Sequence, residues 1–149
     1  MARQRSVQEK PVVLRRARAL GELAVSPSTL TAIAARTVEK GDPISSAELA
    51  GLLAMKRTPE LIPHCHTVPL TGGRIEVRVG TASVTVEAEA ETLGRTGVEM
   101  EALVGATVAL LTVWDMVKYL EKDEHGLYPN VRLGPVSLAE KQKGPPGER

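Results

Sequence analysis

The sequence predicts an α+β fold, and three observations predict it. Apolar and charged residues alternate with a period of two on either side of Gly80-Thr81. The stretch from Thr96 to Lys118 is apolar on nearly every side of a helix. Two helix starts are marked by proline, at Ser26-Pro27 and Asp42-Pro43. Period two on a strand buries one face, and an all-round apolar helix is a buried one. The element order β, α, α, β, β, α, β puts helices on one face of a mostly antiparallel sheet, a ferredoxin-like arrangement. The other sheet face then needs cover, for which oligomerisation is the ready route.

In order along the chain, residues 17–25 read as a strand. The first helix starts at Ser26, tolerates Pro27 in its first turn, carries Leu30, Ile33, Ala34 and Val38, and should stop near Gly41. The second takes Asp42 as N-cap and carries Ile44, Leu49, Leu52 and Leu53. Pro59 and Pro63 punctuate the segment between this helix and the hairpin. In the hairpin, Ile75, Val77 and Val79 alternate with Arg74, Glu76 and Arg78, and Val84, Val86, Ala88 and Ala90 alternate with Thr85, Glu87 and Glu89. After the apolar helix, a loop from Glu121 to Pro129 leads to a last strand at 130–140. Its apolar parity shifts at Gly134-Pro135, which predicts a bulge or an edge position. One domain spans 1–149, with residues 1–10 and the Lys/Gly/Pro-rich end at 142–149 read as flexible.

Composition narrows the function. A formal net charge of +1 gives no pull towards nucleic acid or anionic lipid, and 2% aromatics with no Phe removes base-stacking platforms. The single cysteine, Cys65, forms no internal disulfide, and Met1 to Lys10 lacks an apolar signal-like run, which together favour the cytoplasm. The uncharged part of the apolar helix, Ala102 to Trp114, is too short to span a bilayer.

Several residues are candidates for chemistry. Thr96-Gly97-Val98-Glu99 fits a capping box, which leaves Glu101 unexplained. Asp115 and Lys118 are helical neighbours, either an ordinary salt bridge or a proton-transfer pair at the end of an apolar helix. In His64-Cys65-His66 the histidines share a face if extended, but no second ligand cluster completes a zinc site. An acid, base or phosphate donor, or a merely hydrogen-bonded histidine, are the other readings. Lys40-Gly41-Asp42, Lys56-Arg57-Thr58 and Lys141-Gln142-Lys143-Gly144 put lysines at element ends, where together they suit a polyphosphate, although most surface lysines are only solvated. No Walker A or dinucleotide fingerprint is present.

The blocks Leu61-Ile62-Pro63-His64-Cys65-His66, Thr96-Gly97-Val98-Glu99-Met100-Glu101-Ala102-Leu103 and Asp115-Met116-Val117-Lys118 resemble the MoaC family, the cyclic pyranopterin monophosphate synthases of molybdenum cofactor biosynthesis. The two lysine blocks around Lys40 and Lys56, and Gly134-Pro135-Val136 with Lys141, match further family blocks in order, so the resemblance covers residues 10–144. It implies a homo-hexamer built as a trimer of dimers, with active sites at the dimer interface. It implies a lyase that converts 3′,8-cyclo-7,8-dihydro-GTP to cyclic pyranopterin monophosphate with release of diphosphate. A radical-SAM enzyme would supply that small-molecule substrate, and molybdopterin synthase would use the product. It implies neither a metal site nor a redox cofactor, and is compatible with Mg²⁺ on the substrate phosphates.

By motif position, the resemblance makes Asp115 and Lys118 the acid–base pair, and gives Lys40 and Lys141 to the triphosphate or to cyclic phosphate formation. Lys56 and His66 would assist with phosphate or protons. Thr96, Glu99, Met100 and Glu101 would shape the pterin end, and Arg15 would lie near the phosphates. The chain departs from the family pattern at Thr67, where proline is usual. It departs again at Lys141-Gln142-Lys143-Gly144-Pro145-Pro146, which leaves Lys141 and Lys143 as alternatives, at the reduced block Ser6 to Lys10, and in the longer Glu124–Pro129 loop. Two other readings compete: a non-catalytic nucleotide- or anion-binding regulatory module, and a zinc hydrolase built on His64 and His66.

Overall fold

A computed structural model of the chain describes residues 1–146. In chain order the elements are β1 Val13–Ala24, α1 Pro27–Ala34, α2 Pro43–Lys56, α3 Thr58–Leu61, β2 Leu70–Val79, β3 Ser83–Gly94, α4 Glu99–Glu121 and β4 Arg132–Pro146. The strands form a four-stranded antiparallel sheet in the order β2-β3-β1-β4. The fold is α+β, and this strand order is compatible with a ferredoxin-like arrangement.

The alternation in β1 puts Val13, Arg15, Ala17, Ala19, Gly21 and Leu23 on the buried face, opposite Val84, Val86, Ala88, Ala90 and Thr92 of β3. Helix α4 lies on that face and buries Ala102, Ala106, Ala109, Leu110, Val113 and Val117. Each fully buried Leu or Val contributes about 1.5–3 kcal/mol, so this stripe is a large share of the core. Helix α2 packs on α4 at a point where neither carries a side chain: a Cβ at Gly51 would stand 2.8 Å from the Gly105 carbonyl oxygen. By length and composition α4 could cross a membrane, but here it is the central helix of the core.

The opposite face of the sheet is covered by charge. Arg74 bridges Glu76 at 2.8 Å and Glu87 at 2.9 Å, Arg18 reaches Glu87 and Glu140, and Arg16 pairs with Glu91. In the hairpin, Arg74 thus bridges β2 to β3 through Glu87, while its pairing with Glu76 lies within β2.

Several boundaries differ from the sequence reading. Helix α1 ends at Ala34, short of Gly41, because Arg36 adopts φ 58 and the amides of Arg36 and Thr37 bond back to Ile33 and Ala32, which closes the helix end. The extra turn α3 starts at Thr58, with Pro59 in its first turn. Helix α4 starts at Glu99, with Val98 at the cap position and no side-chain cap, so the capping box expected from Thr96 and Glu99 does not form. Strand β1 begins earlier, at Val13. Strand β4 runs on to Pro146: the residues 142–146 expected in a flexible end instead pair with β1, Gln142 opposite Arg16 and Lys143 opposite Arg15. Residues 147–149 of that end lie outside the described residues. The break expected at Gly134-Pro135 is present, as a cis peptide and a register shift on an edge strand.

Candidate functional site

Two ionic clusters stand at the two ends of α4. At its C-terminal end, Lys118 Nζ lies 2.8 Å from Asp115 Oδ1, and Lys40 Nζ lies 3.7 Å from Oδ2. Lys40 also donates to the Asp115 carbonyl, at 3.0 Å. The loop that carries Lys40 is fixed on both sides. Asp42 caps α2 by accepting from the Ile44 amide, and the Glu39 amide donates to the Tyr119 hydroxyl at 2.8 Å. The hydrogen bond and charge of Lys118, with the charge of Lys40, hold the Asp115 carboxyl below its ordinary value, and Asp115 in turn raises Lys118. The side chain of Asp115 is 61% exposed, so this cluster opens to solvent in the single chain.

At the N-terminal end, Lys141 Nζ lies 2.6 Å from Glu99 Oε1. Burial is the largest influence on Glu99 and pushes its carboxyl up. Lys141, the residue's own amide and the charge of Arg15 outweigh it, and the carboxyl sits below its ordinary value. Glu101 is 4% exposed, and burial, followed by the charge of Glu99, raises it. Both carboxylates line one cavity of about 160 Å³ with His64, Cys65, His66, Thr96, Gly97 and Met100. The Cys65 thiol is pushed up by burial and by the charges of Glu101 and Glu99, which disfavours a thiolate there.

The residues singled out in the sequence thus fall into two groups within one chain. Lys40, Asp115 and Lys118 meet at one end of α4. Thr96, Glu99, Met100, Glu101, His66 and Lys141 meet at the other. Arg15 is buried beside the second group and donates to the carbonyls of Gly94 at 3.1 Å and Arg95 at 3.3 Å, which fixes the turn before α4. Lys56 joins neither group. It lines a separate cavity with Leu52, Leu70 and Gly73. Lys143 lines another, with Leu14 and Arg16. A larger cavity of about 340 Å³ opens on the charged sheet face between Leu20, Glu76, Arg78 and Pro135, and Arg78 there is already paired with Glu76. No group of three or more His, Cys, Asp or Glu residues suited to a metal ion occurs among the described residues.

Sequence reasoning missed Tyr119, Arg95 and Gln4. Tyr119 anchors the Lys40 loop. Arg95 and Gln4 grip backbone carbonyls far away in sequence. Spacing carries no signal for such long-range contacts to main chain.

Fold and site together define an α+β subunit whose ionic residues are split between the ends of one buried helix. Residues 4–144 match the MoaC family, and the chain belongs to that family. A protein of Methanosarcina acetivorans is 50% identical over 143 residues, 96% of this chain and 90% of its own length. Proteins of Pyrococcus abyssi and Archaeoglobus fulgidus are 49% and 46% identical, over 92% and 93% of this chain and 86% and 88% of their own lengths. All three are described as probable cyclic pyranopterin monophosphate synthases.

Proposed function

We propose that this chain is a cyclic pyranopterin monophosphate synthase of molybdenum cofactor biosynthesis. It is a lyase that converts 3′,8-cyclo-7,8-dihydro-GTP to the cyclic pyranopterin monophosphate and releases diphosphate. Family membership and the identity to relatives of that description support the reaction. The observation that carries the reading to this chain is the pair of ionic clusters built from the family's motif residues.

The clusters suit different ends of such a substrate. Lys40 and Lys118 flank one carboxylate and supply two ammonium groups for phosphate oxygens. Asp115 keeps Lys118 protonated, so Lys118 starts as a proton donor and Asp115 as an acceptor. Glu99 and Glu101 are carboxyls whose environments push them in opposite directions, an arrangement that separates acid from base roles. Carboxylates also suit the donor edge of a guanine-type ring. His66 and Thr96 line that end, and Lys141 neutralises Glu99 until a phosphate competes for it. Arg15 acts there by holding the turn before α4. Lys56 assists with phosphate only across a subunit contact. No redox cofactor enters this scheme, which is compatible with Mg²⁺ on the substrate phosphates.

One subunit does not complete the site. Between Glu99 and Asp115 the axis of α4 covers about 24 Å at the usual helical rise. The outward row between them, Met100, Val104, Val108 and Leu111, is apolar and unpartnered in the single chain, with Leu111 45% exposed. A second copy laid antiparallel along this row, centred near Thr107, brings Glu99 and Lys141 of one subunit to Lys40, Asp115 and Lys118 of the other. This supports a dimer with two composite sites; the assembly of three such dimers into a cytoplasmic hexamer is what the family resemblance implies.

The deciding experiment is turnover of the cyclic dihydro-GTP intermediate under anaerobic conditions, following diphosphate and the oxidised fluorescent pterin together. Both products establish the synthase. Tight binding with neither product would replace it by the regulatory anion-binding module.

A further inference from the structure

The two walls of the 160 Å³ cavity come from separate segments: His64, Cys65 and His66 on the loop after α3, and Thr96 to Glu101 leading into α4. The N-terminal arm touches the first wall and Arg95, the residue just before the second. Gln4 Nε2 donates to the Cys65 carbonyl at 2.9 Å. His64 meets the Arg3 carbonyl through Nδ1, and because a carbonyl only accepts, Nδ1 carries the proton. Next to the other wall, Arg95 Nη1 donates to the carbonyls of Gln8 at 2.9 Å and Lys10 at 2.7 Å. The Arg95 carbonyl is itself held by Arg15. Between the two grips the Lys10 amide closes a turn on the Val7 carbonyl, 3.0 Å.

We propose that residues 3–10 are a strap that sets the width of this cavity, and that Gln4, His64 and Arg95 are positioning residues for His66 and Glu101. Terminal arms fray unless tied down, and this one is tied to one wall of the cavity and to the residue that leads into the other. Three of the four contacts use the arm's main-chain carbonyls, so they leave no motif in residues 3–10. His66 follows directly on the two residues that the arm holds. A displacement of about 1 Å at a reacting group costs up to about 100-fold in rate, which is the scale on which a strap of this kind acts.

The kinetic part rests on the synthase reading, so a second readout is independent of turnover. In full-length protein, His64→Ala and Arg95→Ala each lower kcat/KM about tenfold. His64→Asn keeps a donor near the Nδ1 position and stays within about threefold of wild type. The two alanine changes combine less than additively, because either one releases the same strap. Trypsin cleavage after Arg3 and Arg5 is slow in wild type and about tenfold faster in Arg95→Ala. Equal cleavage rates overturn the strap. Faster cleavage with unchanged kcat/KM overturns its positioning role. His64→Asn as impaired as His64→Ala overturns the positioning role of His64 in favour of direct action by its distal nitrogen. If wild type shows no turnover, the synthase reading fails, and the cleavage comparison still decides whether the strap exists.

Discussion

The Lys141 ammonium sits 2.6 Å from the Glu99 carboxylate, at the far end of α4 from the pair formed by Asp115 and Lys118. A continuous helix fixes that separation, since bringing its ends together would break the backbone bonds that define it. The chemistry assigned to the two clusters therefore has to be shared between chains, or else belongs to two unrelated sites. The lysines and carboxylates at the two ends are complementary in charge, which favours sharing.

Sharing predicts complementation. Asp115→Asn and Glu99→Gln subunits are each expected to be nearly inactive alone. Co-refolded in equal amounts, they recover about a quarter of wild-type turnover, because half of the dimers are mixed and each mixed dimer keeps one intact site. Turnover of the mixture, compared with each parent at equal total concentration, reads this directly. A mixture no better than its parents would place both residues in one chain's site.

The tail offers two lysines, and the register of β4 separates their surroundings. Lys141 lies opposite Ala17 and reaches Glu99, while Lys143 lies opposite Arg15 and lines a different cavity. Lys141→Ala is expected to lower kcat/KM by about 100-fold or more, on the scale of losing one charge aimed at a reacting anion. Lys143→Ala should stay within about threefold, as for a solvated surface lysine. Steady-state kinetics on the two variants gives the assignment, and the reverse order would move the role to Lys143.

The sheet and the long helix were legible because their periods are local. Alternation through Val84, Val86, Ala88 and Ala90 needs no knowledge of distant residues, and Asp42 caps α2 as its position beside Pro43 implies. The errors lie where long-range pairing overrode local signals. Lys141-Gln142-Lys143-Gly144 looks like a loose tail, yet the open edge of β1 supplies partners for it. Thr96 and Glu99 have capping-box spacing, but the Glu99 carboxylate is claimed by Lys141 instead. The motif residues stand out in the sequence, and helix length separates those at the two ends of α4, but spacing gave no sign that Lys56 would join neither cluster. The grip of Arg95 on the N-terminal arm was not legible either, because it ends on backbone carbonyls.

The two carboxylates near the start of α4 should leave opposite marks on stability. Glu101 is raised, by burial first and then by the charge of Glu99, so the folded state favours its neutral form. Its contribution is complete below the ordinary carboxylate value, about 4.3, and is lost as pH rises through the raised folded value. Glu101→Gln escapes that loss, so its Tm relative to wild type should improve from pH 4 to pH 7. Glu99 is lowered, with Lys141 outweighing burial, so its contribution is present above the ordinary value and disappears as pH falls through the lowered one. The deficit of Glu99→Gln should therefore shrink towards low pH. Thermal melts of both variants from about pH 2.5 to pH 7, at fixed protein concentration, check the two signs together, Glu99 below the ordinary value of about 4.3 and Glu101 above it.

The closest approach of α2 and α4 gives a test of the scaffold itself. Added methyl groups at Gly51 and Gly105 meet different obstacles. At Gly105 the nearest atoms are the flexible ends of Ile75 and Met55, at 3.0 and 3.2 Å, and then the Gly51 carbonyl oxygen at 3.3 Å, so each neighbour needs to give only a few tenths of an ångström. At Gly51 the nearest is the Gly105 carbonyl oxygen, at 2.8 Å, which moves only if the helix moves. Alanine gains up to about 1 kcal/mol of helix propensity over glycine at either position. Gly105→Ala is therefore expected near neutral, and Gly51→Ala destabilising by about 1–3 kcal/mol through overpacking. Urea unfolding at one fixed protein concentration measures both, since assembly would otherwise shift the midpoints. Because α4 carries a cluster at each end, Gly51→Ala should also lower turnover, whereas Gly105→Ala should not.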